Sequence, residues 1–233
     1  MHTFYIPDIA GDTISLPETE AQHCARVLRL KAGDAIVIAD GKGHLYEAKL
    51  LVSEPKKVTA QLIKELPVIP SRKTPVQLAL APTKNLDRME WLVEKATEIG
   101  CDAFYFLKCK HSERKELKME RLEKIAISAM KQSKQPFLPQ LHTMQPFSSF
   151  IKTVNPANTA IAHLTGEPDQ KDLTALVKQQ PVSTIFIGPE GDFSEEELAL
   201  AADLNIEPVR LGNSRLRTET AALVACTTLS IFA

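Results

Sequence analysis

The spacing of apolar positions changes near residue 75 of this 233-residue chain. Before that point the apolar runs are short and bounded by turns. Ala35–Ala39, Leu45–Val52 and Val58–Ile63 read as strands, and Asp40-Gly-Lys-Gly43 reads as the turn of a hairpin. Ala21, Cys24, Ala25 and Leu28 share one helical face and predict a short helix over Glu18–Leu28. Leu66–Pro75, with its prolines at 67, 70 and 75, reads as a linker. Beyond it, strands and helices alternate. Strands are predicted at Val76–Ala81, Ala103–Leu107, Thr159–His163, Thr184–Ile187 and Val209–Leu211. Helices are predicted over Asn85–Ile99, with Asn85 as N-cap and Gly100 just past the end, and over Lys118–Lys134, Lys171–Gln179 and Thr218–Phe232. Ser194 and Glu197 form a capping box that opens one more helix. Alternation of this kind predicts an α/β fold with a parallel sheet covered on both faces. The expected organisation is a small β-barrel-like module at 1–70 followed by an α/β domain at 71–233.

Composition adds little to that picture: 44% hydrophobic and 24% charged residues describe an ordinary globular chain. No apolar run nears the roughly 18 residues of a membrane helix. The N-terminus lacks the basic and apolar regions of a signal peptide. Cys24, Cys101, Cys109 and Cys226 are scattered and form no CxxC pair, so no zinc site or disulfide framework is indicated. A reducing cytoplasm, no membrane and no metal are the expectations. Charge changes the picture more. The net charge of −1 argues against a generic nucleic-acid coat protein. Yet Lys108–Lys134 holds nine Lys/Arg against four Glu, an excess of +5, whereas Asn155 onward holds five Lys/Arg against eleven Asp/Glu, a deficit of −6. Such a division suggests two surfaces with different partners, one of them suited to nucleic acid.

Two strand-to-helix loops carry the candidate chemistry. The first, Ile187-Gly-Pro-Glu-Gly-Asp-Phe-Ser194, opens a stretch with five acids: Glu190, Asp192, Glu195, Glu196 and Glu197. A helix N-terminus favours an anion by only about 0.3–1 kcal/mol. Two like charges about 4 Å apart oppose it by roughly 4 kcal/mol at an effective dielectric of about 20. Neither GxxxxGK[ST] nor GxGxxG is present. A neutral or cationic ligand therefore fits better than a phosphate. Glu195 and Glu196 read as complements to the helix dipole, whereas Gly-Pro-Glu-Gly fixes a rigid turn around Glu190 and Gly191. The second loop is Leu211-Gly-Asn-Ser-Arg-Leu-Arg-Thr-Glu-Thr-Ala-Ala222. In an open parallel sheet, such loops gather at the carboxyl ends of the strands. Together they predict a pocket suited to an adenine, with Arg217 and Glu219 adding reactive polarity. His163 and His111 read as structural.

These two motifs, "IGPEGDFS" and "LGNSRLRTETAA", closely resemble the paired C-terminal motifs of the RsmE family, ribosomal RNA uridine-N3 methyltransferases of the SPOUT class. Thr83–Gly100 is similar to the family's "K…R.E…KATELG" helix. Ala129–Ser133 with Pro136 and Pro139 is similar to its "A.EQS…P" segment. His23–Asp34 resembles its "H…VLR…GD" stretch in a PUA-like barrel. The likeness runs in order along nearly the whole chain. It implies a PUA-like barrel followed by a SPOUT α/β domain with a C-terminal trefoil knot, S-adenosylmethionine as cofactor, 16S ribosomal RNA or the small subunit as partner, and a homodimer with its active site near the interface. Carried over by residue, the cofactor site comprises Leu164, Ile187, Gly188, Glu190, Gly191, Leu211, Gly212, Leu216, Arg217 and Thr218. Three positions depart from the family pattern. Asp192 stands where a second glycine is common, Ser214-Arg215 where Arg-Ile is usual, and Gln135 where an arginine is expected.

The resemblance also implies the chemistry. Methylation at uracil N3 requires loss of the N3 proton, and the resulting anion spreads over O2, N3 and O4. Arg217 is the expected anion stabiliser, and Glu219 or Glu190 a candidate base. The target base must leave its helix to be reached. Arg26, Arg29 and Lys31, with Lys84, Arg88, Arg114, Lys131 and Lys134, are the expected RNA contacts. Three other readings share parts of this pattern. They are a related methyltransferase acting at another RNA site, an RNA-binding assembly factor without catalysis, and a nucleotide hydrolase, which the missing phosphate loop disfavours.

Overall fold

The computed structural model describes residues 1–68, 72–166 and 169–232. The linker prediction falls partly on 69–71, outside the described residues. The chain divides into two compact units: Met1–Ser71 with Ile127–Leu138, and Arg72–Ala126 with Pro139–Ala233. The expected boundary was 70/71; in this division a later segment, 127–138, belongs to the first unit as well.

The first unit is built on a five-stranded sheet in the order β1-β3-β4-β5-β2, comprising β1 (Thr3–Tyr5), β2 (Thr13–Ser15), β3 (Ala35–Ala39), β4 (Leu45–Glu54) and β5 (Lys57–Leu66). β1 and β3 are parallel, and the other pairs antiparallel. Phe4, Ile14, Ile36, Ile38, Leu50 and Val58 are buried in its core. The predicted hairpin turn forms for a visible reason. The Asp40 carboxylate accepts from Lys42 N at 2.7 Å, His44 N at 3.0 Å and the His44 ring at 2.7 Å. Gly41 and Gly43 supply φ values of 71° and 116°. A side chain at Gly43 would meet the Phe137 ring at 2.7 Å. Gly43 N donates to Pro136 O, and Leu138 N to Gly41 O, which ties segment 127–138 to this hairpin. The predicted helix at Glu18–Leu28 divides into α1 (Glu18–Gln22) and a π-helical turn at His23–Val27.

The second unit holds a six-stranded sheet, parallel at every pairing, in the order β11-β9-β10-β6-β7-β8. Its strands are β6 (Gln77–Leu80), β7 (Ala103–Lys108), β8 (Gln140–Pro146), β9 (Thr159–Ala162), β10 (Thr184–Ile187) and β11 (Glu207–Val209). The helices are α2 (Leu86–Ile99), α3 (Met119–Ser133), α4 (Phe147–Phe150), α5 (Leu173–Val177), α6 (Glu195–Asp203) and α7 (Thr218–Phe232), with α3 running past the boundary between the units. β10 is buried at all four residues, as a central parallel strand should be. Asn85 caps α2 by accepting from Asp87 N at 2.8 Å, and Gly100 ends it in the left-handed region at φ 93°. The capping box of Ser194 and Glu197 is present on α6. Phe147, Phe150, Phe186 and Phe193 pack together under α6. β8 and α4 lie outside the predicted elements, because "QLHTMQPFSSF" keeps neither helical nor alternating spacing and β8 lies at the sheet edge. β11 ends two residues earlier than expected, since Arg210 leaves the β9 ladder and bridges Asp172 instead.

Candidate functional site

β11, β9 and β10 are neighbours, so the three loops leaving their carboxyl ends converge. Between them lies a cavity of about 570 Å³, within the size range of small-molecule sites. His163 and Leu164 follow β9, Gly188 to Glu190 and Asp192 follow β10, and Arg210 to Gly212 with Ser214 to Thr218 follow β11. Of the predicted cofactor residues, Leu164, Ile187, Gly188, Glu190, Leu211, Gly212, Leu216, Arg217 and Thr218 all line it. Gly191 does not. A side chain there would meet His111 Cβ at 3.2 Å, so this glycine permits close packing of the β7–α3 loop.

The acids of the first loop act differently from the expectation. Glu190 Oε1 accepts from Lys84 N at 3.0 Å. Glu197 accepts from Ser194 N and Lys110 N, and Glu196 pairs with Lys110 Nζ at 2.8 Å. The hydrogen bond from Lys110 leads the effects that pull the Glu196 carboxyl down to about 2. The charge argument for a cationic ligand is thereby weakened: most of these carboxylates already have partners within the chain. Asp192, where the family pattern suggests a glycine, stands in the left-handed region that glycine favours, with φ 63°. Asp is one of the few residues that tolerates this region. Its Oδ1 accepts from Phe193 N at 2.8 Å, and its Oδ2 lies 3.0 Å from His163 Nδ1. His163, read from sequence as structural, is on the cavity wall. Its isolation in sequence from Asp192 hid the pair.

The second loop is held at its ends. Arg210 grips Asp172 through two bonds at 2.8 and 3.1 Å, and the bonds from Arg210 lead the effects that depress the Asp172 carboxyl. Leu173 N donates to Arg210 O, and Arg210 N to Lys171 O. Thr218 Oγ1 donates to Gly188 O at 3.1 Å, joining this loop to the first. Between these anchors, the side chains of Asn213, Ser214, Arg215 and Arg217 have no hydrogen bond or ion pair among the described residues. Glu219 is not on the wall. It is buried at the start of α7 with Oε1 3.5 Å from Arg88 Nη1, and Oε2 has no partner among the described residues.

The expected RNA contacts separate into free and engaged cations. Arg26, Arg29 and Lys31 are exposed beside Val27, itself 67% exposed, and their side chains have no ion pair among the described residues. Lys134 is also exposed. Lys131 is instead drawn inward, 2.6 Å from Glu20 and over the Phe4 ring. Lys84 pairs with Glu113, Arg88 with Glu219, and Arg114 Nη2 donates to Lys84 O. The four cysteines are free and buried, and burial pushes up the Cys24, Cys101 and Cys109 thiols. Among the described residues no His/Cys/Asp/Glu cluster is arranged to hold a metal, and no helix is long and apolar enough to cross a membrane.

A parallel α/β sheet with a ligand cavity at its carboxyl edge, in a chain that also holds a small sheet unit with free cations, defines a class that comparison with known proteins makes specific. Residues 70–230 match the RNA methyltransferase domain and residues 16–63 the RNA methyltransferase PUA domain, so the chain belongs to this family of RNA methyltransferases. It is 30% identical over 91% of its length to ribosomal RNA small subunit methyltransferase E of Synechocystis, of which it covers 71%. Two solved structures are similar over 99% of the chain. One is a probable rRNA-methyltransferase from Porphyromonas gingivalis, at 38% identity, TM-score 0.89 and 99% coverage of that chain. The other is ribosomal RNA small subunit methyltransferase E from Neisseria gonorrhoeae bound to S-adenosyl methionine, at 25% identity, TM-score 0.90 and 97% coverage.

Proposed function

We propose that the protein transfers the methyl group of S-adenosylmethionine to N3 of a uridine in 16S ribosomal RNA of the small subunit. The observation that carries this reading is the cavity itself, which gathers nine of the ten residues assigned to the cofactor from three separated stretches. Its wall fits the group. Leu164, Ile187, Val209, Leu211 and Leu216 offer apolar faces to a flat base. Gly212 leaves open space where a Cβ would stand, so backbone can approach a ligand closely. S-adenosylmethionine supplies an electrophilic methyl on a sulfonium. Arg217, exposed at the rim and unpaired among the described residues, holds the uracil oxygen on which negative charge grows as N3 loses its proton. Glu219, an expected base, instead orients Arg88 from outside the wall. Glu190 lines the cavity with one oxygen already engaged by Lys84 N.

The finer architecture belongs to the same reading. We place a barrel in the first unit and a trefoil knot in the second. In support of the knot, the chain leaving β10 lays β11 beyond β9 and then returns to α7, which packs against β10, β6 and α2. The returning segment is bonded to Lys171–Leu173 at one end and to Gly188 at the other. A homodimer is supported by Trp91 on α2 and by Ile231 and Phe232 on α7, large apolar side chains left exposed. The free cations of the first unit provide phosphate contacts. The test incubates the protein with methyl-labelled cofactor and 16S RNA or small subunits from cells lacking it, then analyses the nucleosides by mass spectrometry. Label in 3-methyluridine is expected. Label on a ribose oxygen, on a ring carbon or nowhere would overturn the assignment.

A further inference from the structure

We infer that His163, held by Asp192, is the group that accepts the uridine N3 proton. The inference rests on the transfer reaction proposed above and names its missing base. His163 and Asp192 come from different loops, and both line the cavity. The Asp192 carboxylate, as an acceptor only, requires the proton of a neutral imidazole to sit on Nδ1, 3.0 Å from Oδ2. The lone pair is then on Nε2, which is the form a general base needs. His163 is 21% exposed at its side chain, shielded yet accessible from the cavity.

Both partners are also fixed in place. His163 N donates to Val209 O at 3.2 Å, and its carbonyl accepts from Gln170 Nε2. Gln170 Oε1 in turn accepts from Thr165 N. Asp192 is held by Phe193 N at Oδ1, and its carbonyl lies 3.1 Å from His111 Nδ1. The rival carboxylates are less suitable: Glu219 lies off the wall, and Glu190 is exposed with one oxygen bonded.

The step balances. The N3–H bond breaks and its proton goes to His163 Nε2. The electron pair left on N3 forms the bond to the methyl carbon. The carbon–sulfur pair leaves with sulfur, giving a neutral thioether, and His163 returns the proton to solvent. The other charged groups around the cavity are Glu190 from the β10–α6 loop and Arg210, Arg215 and Arg217 from the β11–α7 loop. His111 of the β7–α3 loop reaches Asp192 from outside.

The experiment compares wild type, His163→Gln and Asp192→Gly. The glycine variant keeps the backbone at φ 63° at ease and removes the side chain that faces His163, together with its bond from Phe193 N. His163→Gln is expected to lose about 10²- to 10⁴-fold in kcat, with cofactor Kd by calorimetry changed less than about threefold and an unchanged melting temperature. Nitrogen-15 NMR of the imidazole should show one tautomer in wild type, with the lone pair on Nε2, and a mixture in Asp192→Gly. Parallel loss of kcat and cofactor affinity in His163→Gln would make His163 a wall residue and overturn the inference. So would full activity of that variant, or a single unchanged tautomer in Asp192→Gly. Inactive wild type defeats the proposed function itself, which active wild type with an active His163→Gln does not.

Discussion

Two of the three loops around the cavity, those after β10 and β11, are built in opposite ways. From Gly188 to Glu197, the polar side chains that matter are committed within the chain: Glu190 to Lys84, Asp192 to His163 and Phe193, Ser194 and Glu197 to each other, Glu196 to Lys110. From Gly212 to Arg217 they have no partner among the described residues, although the segment is anchored at Arg210 and Thr218. The first loop is therefore scaffold and the second carries the groups available to a ligand. A static count of charge misses this, since the more highly charged loop has fewer charges to offer.

Substituting Arg217 should break the comparison most sharply. Arg217→Ala is expected to reduce methyl transfer by about 10²- to 10³-fold, the usual effect of removing one donor to a developing anion. Cofactor affinity should fall far less, and the melting temperature should not move, because the guanidinium has no partner among the described residues. Equal losses of transfer and cofactor binding would make Arg217 a wall of the pocket and nothing more.

The same distinction applies to the first unit. Arg26 and Arg29 have no ion pair among the described residues, whereas Lys131 is engaged by Glu20 and Phe4. Removing one cation that neutralises a phosphate should flatten the plot of log affinity against log salt by about 0.7–0.9. Arg26→Ala with Arg29→Ala is expected to lower that slope while leaving the melting temperature in place. Lys131→Ala should do the reverse. An RNA affinity that ignores salt in the wild type would remove these cations from the interface.

Much of this was legible in the sequence, and the part that was not has a common cause. β3 and β10 were readable because they are short continuous apolar runs bounded by polar residues or glycine, α7 because it is a longer, mostly apolar run with no glycine or proline, and the Asn85 and Ser194 caps because they act within three residues. The cavity was readable because its two motifs follow consecutive kinds of element at one sheet edge. β8 escaped because an edge strand imposes little pattern. The His163–Asp192 pair, 29 residues apart, and the Lys110–Glu196 clasp, 86 apart, depend on which loops the topology brings together. Asp192 was visible as a departure from glycine, but its partner was not.

A smaller test addresses the scaffold. Ser194→Ala removes the α6 cap and should cost about 1 kcal/mol of stability, visible as a lower melting temperature. Methyl transfer below that temperature should be unchanged, since Ser194 does not touch the cavity. Loss of transfer without loss of stability would mean that this loop does more than hold its shape.

The finest test is a titration. The Glu196 carboxyl is held at about 2, with the Lys110 hydrogen bond as the leading cause. A depressed folded-state value means that the clasp contributes above the ordinary carboxylate range and is lost as pH falls through about 2. Both side chains are largely exposed, so salt should weaken the effect. Carbon-13 NMR of the glutamate carboxyls should find one midpoint well below the rest, and Lys110→Ala should return it to the common range. Because Lys110 N also donates to Glu197 from the backbone, the β7–α3 loop should stay in place when its side chain is removed. If His111 and Asp192 then shift together in the spectrum, the side chain is what holds this loop against the cavity wall. If they do not, the backbone bond to Glu197 suffices, and the charge on Glu196 is dispensable to the site.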